Sequence, residues 1–292
     1  MADIETGDPA MRSETLPVPG ATLYYEVRGS GPLVLFLPGG GGDAASVDPI
    51  AEVLEDRFTV VSLDQRGYSR SVLDGPQRTQ RVEVQSDDVH RLLSHLTGEP
   101  ALVVGGSNGA IVGLELLARH PEQVSLLIAH EPPCFAVLPD AAEQRAMIDE
   151  VYTLFRTEGP GPASMRFLAG IGNAMKPSPM PDELPPRAAE MWARLAANGP
   201  LMLEHELREF TSYLPDFAAL APVADRLVLA AGRETKGCLP YRPAVEIARR
   251  LGIEVTEFPG AHNGMRTEAP EFAARLGDIL TAHLRAGAAG RC

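Results

Sequence analysis

Cysteine is scarce in this sequence, with three among 292 residues, at positions 134, 238 and 292. An odd number of cysteines so far apart does not form a disulfide framework, which excludes a small disulfide-stabilised secreted domain. Residues 1–15 are acidic and polar, and they lack the basic and apolar regions of a signal peptide. No apolar run reaches the roughly 20 residues that a membrane-spanning helix needs. These absences predict a cytoplasmic protein.

Positively charged residues are also few, because the chain has 26 Lys and Arg residues against 39 Asp and Glu residues, which gives a formal net charge of −13. A phosphate backbone and an anionic membrane surface would both be repelled, so neither nucleic acid nor membrane is expected as a partner. Hydrophobic residues make up 45% of the chain and charged residues 22%, a balance typical of a folded protein with a sizeable core.

Apolar runs of strand length alternate with helical patterns over most of the chain. Runs such as "LVLFLP" (33–38), "ALVVGG" (101–106) and "VSLLIAHE" (124–131) predict buried strands, and the alternation predicts a mostly parallel sheet with helices on both faces. Residues 1–15 are expected to form a flexible tail. The core is expected to comprise residues 16–134 and 223–292, interrupted by a helical cap over 135–222, where proline-rich joints replace the alternation.

A candidate nucleophile lies in "GGSNG" (105–109), a match to G-x-S-x-G between an apolar strand and a helix. Glycines on both sides permit a tight turn that presents the Ser107 hydroxyl at the carboxyl end of the sheet. The Asn108 N–H would lie at a helix N-terminus, where it can stabilise developing negative charge. The alternative is a Gly-Ser turn without chemistry.

A second oxyanion donor is expected from the four glycines at 39–42, which follow an early strand and are similar to the HGGG-type loop of esterases without its histidine. Gly40 is the predicted donor, with Gly39 and Gly41 as alternatives. A simple turn is the other interpretation. A dinucleotide or phosphate loop is disfavoured because the spacing is not G-x-G-x-x-G and no P-loop lysine follows.

A serine hydroxyl needs a base, and His262 in "FPGAHNG" (258–264) lies between the last predicted strand and the closing helix. Most other histidines fall on predicted helices and are expected at the surface. His205, in the cap segment "LEHELREF", is a candidate for the pocket lining.

Two carboxylates compete for the role of the acid that orients the base. Glu131 follows Ser107 by one helix and one strand, which returns the chain to the same sheet edge, about 5 Å away if the strands are neighbours. Glu234 follows the next strand, in a loop that holds Thr235 where an aspartate would be expected, and it can also be interpreted as a surface charge. His130–Glu131 is not a zinc motif, because position 134 is Cys rather than His.

Four segments, "DQRGYSRS", "GGSNGA", "AHEPP" and "PGAHNG", together resemble the α/β-hydrolase superfamily. An elbow serine with a glutamate after the following strand is similar to the zearalenone-lactonase branch, which opens a macrocyclic ester without a cofactor. The resemblance implies the α/β-hydrolase fold and a triad of Ser107, Glu131 and His262. The cap departs from that branch, so zearalenone itself is not implied. We expect Trp192, Met202 and His205 of the cap to contact substrate, and Met180 to be among the apolar residues of a pocket ceiling. For each apolar residue the alternative is packing within the cap core.

The leading functional hypothesis is a cofactor-independent serine hydrolase that cleaves an ester or lactone of a fairly apolar small molecule through an acyl-enzyme. The alternatives are a C–C bond hydrolase or haloperoxidase-like perhydrolase that uses the same triad, and a non-catalytic ligand receptor on the same fold. Neither a zinc motif nor a calcium loop occurs, so no metal is expected. Nothing in the sequence indicates an oligomeric state.

Overall fold

The computed structural model describes residues 11–177 and 184–289, and within these ranges the chain is built around one nine-stranded sheet. The strands are β1 Arg12–Val18, β2 Ala21–Arg28, β3 Leu33–Leu37, β4 Thr59–Leu63, β5 Val72–Leu73, β6 Ala101–Gly106, β7 Val124–His130, β8 Leu227–Gly232 and β9 Val255–Phe258. Their spatial order is β1-β2-β4-β3-β6-β7-β8-β9, and the short β5 pairs with β2. From β4 to β9 all neighbours are parallel, whereas β2 is antiparallel to β1 and β4. The predicted mostly parallel sheet is confirmed.

Helices cover both faces of this sheet. The α-helices of the described ranges, including those of the segment between β7 and β8, are α1 Asp48–Leu54, α2 Val82–Leu96, α3 Asn108–Arg119, α4 Ala141–Glu158, α5 Pro160–Gly170, α6 Pro186–His205, α7 Leu207–Thr211, α8 Phe217–Leu220, α9 Tyr241–Leu251, α10 Gly264–Thr267 and α11 Ala269–Ala289. Side chains alternate across a strand, so in β6 Val103 belongs to the buried cluster that includes side chains of α2, α3 and α9, whereas Leu102 and Val104 belong to the cluster that includes side chains of α1 and α11. Burial on both faces explains why the central strands are continuous apolar runs. No helix in the described ranges is long and apolar enough to cross a membrane.

Residues 135–222, here called the cap, connect β7 to β8 and contain α4 to α8. Part of the proline-rich joint, residues 178–183, lies outside the described residues. The cap is tied to the sheet by ion pairs from α6. Arg187 contacts Glu26 at 2.5 Å and Asp48 at 2.6 Å, and Arg194 contacts Asp43 at 2.6 Å. Burial favours protonation of Glu26, but the hydrogen bond and charge of Arg187 bring its pKa below the ordinary value, so the pairing offsets the cost of burying the carboxylate.

The flexible tail expected over residues 1–15 is wrong for Arg12–Thr15. These residues belong to β1, which pairs antiparallel with β2 in the register Arg12–Val27 to Thr15–Tyr24. The polar composition of the segment gives no sign of a strand. The strand forms because the edge of β2 offers main-chain hydrogen bonds, which do not depend on the side chains. Residues 1–10 lie outside the described residues.

The start of α3 approaches the end of β3 so closely that only glycine fits between them. A Cβ at Gly109 would lie 2.2 Å from the Leu37 carbonyl oxygen and 2.5 Å from that of Pro38. Gly109→Ala would force two main-chain segments apart, and we expect the free energy of unfolding to fall by at least about 2 kcal/mol. Urea denaturation monitored by circular dichroism measures this change.

Gly98→Ala is the matched control, because a Cβ at Gly98 meets no atom within 4 Å. Its effect should stay within about 0.5 kcal/mol, as for most surface changes. Equal stability of the two variants would show that the close approach between α3 and β3 is not a constraint.

Candidate active site

Ser107 lies at the turn between β6 and α3 and has a strained backbone, with φ 53° and ψ −122°. Its N–H donates to the His130 carbonyl oxygen at 2.9 Å, which ties the turn to β7. A Cβ at Gly105 would lie 2.4 Å from the Gly109 carbonyl oxygen, so the outer glycines of the motif allow the strand and helix to meet. A non-glycine residue at positive φ costs on the order of 1–3 kcal/mol and is found at functional sites. The geometry is that of a nucleophile elbow.

Glu131 directly follows β7, one strand over from Ser107, in the register that pairs Gly106 with His130. It too has a positive φ, 48°, and its side chain is fully buried. Its N–H donates to the Ala230 carbonyl oxygen at 2.9 Å. The carboxylate is therefore held at the carboxyl edge of the sheet, as the path through one helix and one strand predicted.

The Glu131 carboxylate and the His262 ring are in direct contact, with Oε2 2.6 Å from Nδ1. The other oxygen, Oε1, accepts the Gly232 N–H at 2.9 Å and lies within hydrogen-bond distance of the Thr235 hydroxyl. Burial favours the protonated acid, but the hydrogen bond and charge interaction with His262 outweigh it and lower the pKa of Glu131 to about 2. The carboxylate is thus ionised at neutral pH and fixes the orientation of the imidazole.

Glu234, the other candidate acid, points elsewhere. Its carboxylate forms an ion pair with Lys176 of the cap, and its side chain is 42% exposed. The neighbouring Thr235 is fully buried and contacts Glu131, so the loop after β8 supplies a hydrogen-bond donor to the buried carboxylate. Thr235 was identified from the sequence only as the residue in place of an aspartate, and its contact with Glu131 was not predicted.

His262 lies in the loop between β9 and α10, with its side chain 12% exposed. Its N–H donates to the Ala174 carbonyl oxygen at 3.0 Å. The next residue, Asn263, exchanges hydrogen bonds with the main chain of Lys176, at 3.0 and 2.7 Å. The cap therefore helps to hold the histidine loop.

The glycine loop after β3 lies against the elbow. A Cβ at Gly39 would be 3.3 Å from the Ser107 Cβ, and a Cβ at Gly40 would be 2.7 Å from the Asn108 Nδ2. The Gly42 N–H donates to the Gly39 carbonyl oxygen at 2.9 Å and closes the turn, with Gly41 at φ 68°. Gly39 thus lies against Ser107 and Gly40 against the Asn108 side chain, so the loop is close enough to the serine to contribute to an oxyanion hole.

A cavity of about 400 Å³ opens above these residues, between the sheet edge and the cap. Its walls include Ser107, His262, the four glycines and several cap side chains, among them Phe167, Met175, Trp192, Leu195 and Met202. Trp192 and Met202 were predicted here and do line the cavity. Arg266 also lines it, with its guanidinium carbon 4.7 Å from the centre of the Trp192 ring, and was not foreseen.

His205 is a correction, because it is not among the residues that line this cavity. Its carbonyl oxygen accepts the Gln80 N–H at 2.8 Å at the end of α6. The residue that reaches the site is the next one, Glu206, which is 1% exposed and accepts a hydrogen bond from Asn108 Nδ2. Helical periodicity did not reveal this, because α6 ends at His205 and the chain turns there. Met180, also expected in the cap ceiling, lies outside the described residues.

Comparison with known proteins defines the class. Residues 32–198 match the family model of the alpha/beta hydrolase fold. The chain is 38% identical to the hydrolase YraK of Bacillus subtilis over 272 residues, which cover 91% of this chain and 95% of that protein. It is 35% identical to the zearalenone hydrolase of Cladophialophora bantiana over 126 residues, 42% of this chain and 48% of that protein. A thermophilic esterase from Thermogutta terrifontis has a similar fold, with a TM-score of 0.70 at 18% identity, covering 92% of this chain and 97% of that one.

The chain therefore belongs to the α/β-hydrolase fold family, and it is a hydrolase. The superfamily predicted from the four segments, and the predicted fold class, are confirmed. In the described parts of the chain, no group of three or more His, Cys, Asp or Glu side chains is placed to hold a metal ion.

His130, next to the acid, gives the protein a predictable response to pH. The ring is fully buried against Phe258 and Phe272, neither ring nitrogen has a hydrogen-bond partner among the described residues, and burial lowers the pKa of His130 from 6.5 to about 4. Between pH 6.5 and 4, His130 binds more protons in the unfolded chain than in the folded one, so its own contribution to stability falls as pH falls through this window. We expect a loss on the order of 3 kcal/mol from this residue. The stability that the ionised Glu131 contributes is lost at lower pH, between its ordinary pKa and about 2.

His130→Leu should flatten the pH dependence of the unfolding free energy between pH 6.5 and 4, because the substituted residue cannot titrate. Chemical denaturation at several pH values measures the slope. His95→Gln, at an exposed position, is the control and should leave the slope as in the wild type. Parallel slopes for the wild type and His130→Leu would show that His130 does not carry the effect.

Proposed function

We propose that this hydrolase is a serine esterase or lactonase that needs no cofactor, with Ser107 as nucleophile, His262 as base and Glu131 as the acid that orients the base. The observation that carries the proposal is the 2.6 Å contact between the buried Glu131 and His262, because His262 lies in the wall of the same cavity as the strained Ser107. These are the three roles of a catalytic triad, in the chain order Ser, acid, His typical of this fold.

The reaction proceeds in two halves. Ser107 Oγ attacks the substrate carbonyl carbon while Nε2 of His262 accepts the hydroxyl proton. The Gly40 and Asn108 N–H groups stabilise the resulting oxyanion, with Gly39 or Gly41 as the alternative to Gly40. Collapse of the tetrahedral intermediate expels the alkoxide, which takes the proton from His262. Water, deprotonated by His262, then attacks the acyl-enzyme and releases the carboxylic acid and Ser107.

Glu131 contributes by holding the proton on Nδ1 of His262, which leaves Nε2 free to act as the base. Because its pKa is held at about 2, it stays ionised and stabilises the imidazolium that forms in each half. Thr235 and the Gly232 N–H occupy its other oxygen and keep the carboxylate from rotating.

The cavity lining supports a fairly apolar substrate. Phe167, Trp192, Leu195 and Met202 of the cap contribute aromatic and aliphatic surface, and methionine adapts to varied shapes. The partial similarity to a zearalenone hydrolase, and the fold shared with an esterase, agree with a carboxylic ester bond. Epoxide hydrolase and dehalogenase chemistry is disfavoured because those enzymes place an aspartate where this chain has Ser107.

The nucleophile assignment is tested by Ser107→Ala. Loss of the hydroxyl removes the acyl-enzyme route and leaves the oxyanion hole and binding, so kcat on a panel of p-nitrophenyl esters and lactones should fall by several orders of magnitude. Ser94→Ala, on the exposed face of α2, is the control and should keep full activity. More than about a tenth of wild-type activity in a folded Ser107→Ala variant would contradict the elbow assignment.

The same panel separates the rival functions. A receptor without catalysis would turn over none of the esters. With a β-diketone added to the panel, and a halogenation reporter supplied with peroxide, a carboxylic acid and a halide, a C–C bond hydrolase would act on the first and a perhydrolase on the second. Both would still depend on Ser107.

The acid assignment is tested by comparing Glu131→Gln with Glu234→Gln. A neutral amide at 131 cannot stabilise the imidazolium and favours the wrong tautomer, so kcat should fall on the order of 10³-fold or more with a modest change in KM. Glu234→Gln removes only an exposed pair with Lys176 and should cost less than about tenfold. Thermal unfolding of both variants controls for loss of fold. The opposite ranking would transfer the acid role to Glu234.

A further inference from the structure

A buried carboxyl group of the cap reaches the predicted oxyanion hole. Glu206 lies between α6 and α7, is 1% exposed, and through Oε1 accepts a hydrogen bond from Asn108 Nδ2. A Cβ at Gly40 would lie 2.7 Å from that amide nitrogen and 3.1 Å from Glu206 Oε1. Asn108, which carries one proposed oxyanion donor, is therefore bonded to a cap side chain that also lies beside Gly40, which carries the other.

The second oxygen of Glu206, Oε2, faces a buried cluster of polar side chains. Oε2 is buried without a hydrogen-bond partner among the described residues, and so are the Tyr68 hydroxyl and the Gln85 Oε1. The side chains that face the carboxyl are Asn108 from α3, Tyr68 from the turn after β4 and Gln85 from α2. Burial raises the pKa of Glu206, and it raises the pKa of Tyr68 well above its ordinary value. All three facing groups are neutral. Their hydrogen bonds favour the ionised form, but burial outweighs them, because an ionised Glu206 would be a buried charge without a counter-ion among these groups.

We propose that Glu206 is a positioning residue of the oxyanion hole and acts as a neutral acid: Oε1 accepts the Asn108 amide, and a proton on Oε2 is donated to Tyr68 or Gln85. The proposal rests on the proposed serine mechanism, since it concerns the donors Gly40 and Asn108. The hydrogen bond to Oε1 holds the Asn108 side chain in one orientation. This fixes the first turn of α3, and with it the main-chain N–H that faces the developing negative charge.

Neutrality matters because of where the group lies. An ionised carboxylate here, buried and bonded to Asn108 beside Gly40, would place a full negative charge close to the oxygen that becomes an oxyanion. Like charges at such separations are strongly unfavourable in low dielectric. A protonated acid provides the same hydrogen bond without the charge, as buried carboxylic acids in other oxyanion holes do.

The cap also holds the glycine side of the hole. Asn198 of α6 donates through Nδ2 to the Gly41 carbonyl oxygen at 2.9 Å, and its Oδ1 accepts the Ser69 N–H at 3.1 Å. Both halves of the predicted oxyanion hole are therefore fixed by side chains from α6 and the residue that follows it.

Two substitutions separate the hydrogen bond from the charge. Glu206→Met keeps the volume but cannot accept from Asn108, so kcat should fall about 10- to 100-fold with KM within about threefold, less than loss of a whole donor. Binding of a phenylboronic acid, which forms a tetrahedral anionic adduct with the serine, should weaken by a similar factor. Glu206→Gln reproduces the neutral acid, with an acceptor toward Asn108 and a donor toward Tyr68 and Gln85, and should stay within about threefold of wild type at pH 7. Glu204→Gln is the control, because Glu204 lies on α6 and pairs with Arg156 at the surface.

Infrared difference spectroscopy, wild type minus Glu206→Gln at pH 7, gives a readout that a merely structural role would not move. A carboxylic-acid C=O band is expected. Carboxylate bands in its place, or a loss of tenfold or more in kcat for Glu206→Gln, would overturn the neutral-acid proposal. Full kcat and unchanged boronic acid binding in Glu206→Met would overturn the positioning role. If Glu206→Met does not fold, the spectrum and kcat of Glu206→Gln still decide.

Labelling with a fluorophosphonate distinguishes failure of this inference from failure of the serine mechanism. If the wild type is labelled at Ser107 but Glu206→Met behaves as wild type, only the role of Glu206 is wrong. If the wild type is neither labelled nor active on any ester, the serine mechanism is wrong, and the positioning role fails with it.

Discussion

The contact between the Glu131 carboxylate and the His262 ring is the interaction on which the candidate site depends. A fully buried carboxylate without partners would cost several kcal/mol, so the fold must supply donors wherever it places one. Here three donors come from two separate parts of the chain: His262 after β9, and Gly232 and Thr235 at the end of β8. The last three strands of the sheet therefore have to be in register before the imidazole is oriented.

The strained residues of the site follow from the same requirement. Ser107 and Glu131 both have positive φ although neither is glycine, and each directly follows a parallel strand. A strand that continued in extended conformation would direct these side chains above or below the sheet, whereas the left-handed turn redirects them at its carboxyl edge. The strain is held by main-chain bonds between neighbouring strands, from Ser107 to His130 and from Glu131 to Ala230. The rigid packing of the sheet thus stabilises the strained backbone conformations of Ser107 and Glu131.

The sheet and the triad candidates could be predicted because each depends on short-range sequence features. Apolar runs indicated the strands, and strand ends indicated Ser107, Glu131 and His262. What failed depended on contacts between distant segments. Arg12–Thr15 form a strand only because β2 offers its edge, and Glu206 faces Asn108 only because the chain turns at the end of α6. No periodicity in "LEHELREF" distinguishes His205 from its neighbour, so the wrong one of two adjacent polar residues was assigned to the site.

The attachment of the cap indicates how substrate recognition and chemistry are joined in this chain. Helix α6 lines the cavity with Trp192 and Met202. The same helix contacts the core, because Arg194 pairs with the buried Asp43 and Asn198 donates a hydrogen bond to Gly41. The cap loop near Lys176 is bonded to Asn263, beside the base. A side chain that changes the shape of the cavity therefore acts on a helix that also holds the glycine loop. Because catalysis is sensitive to displacements of about 1 Å, substitutions in α6 that alter substrate preference should also alter kcat, even where they do not touch the triad.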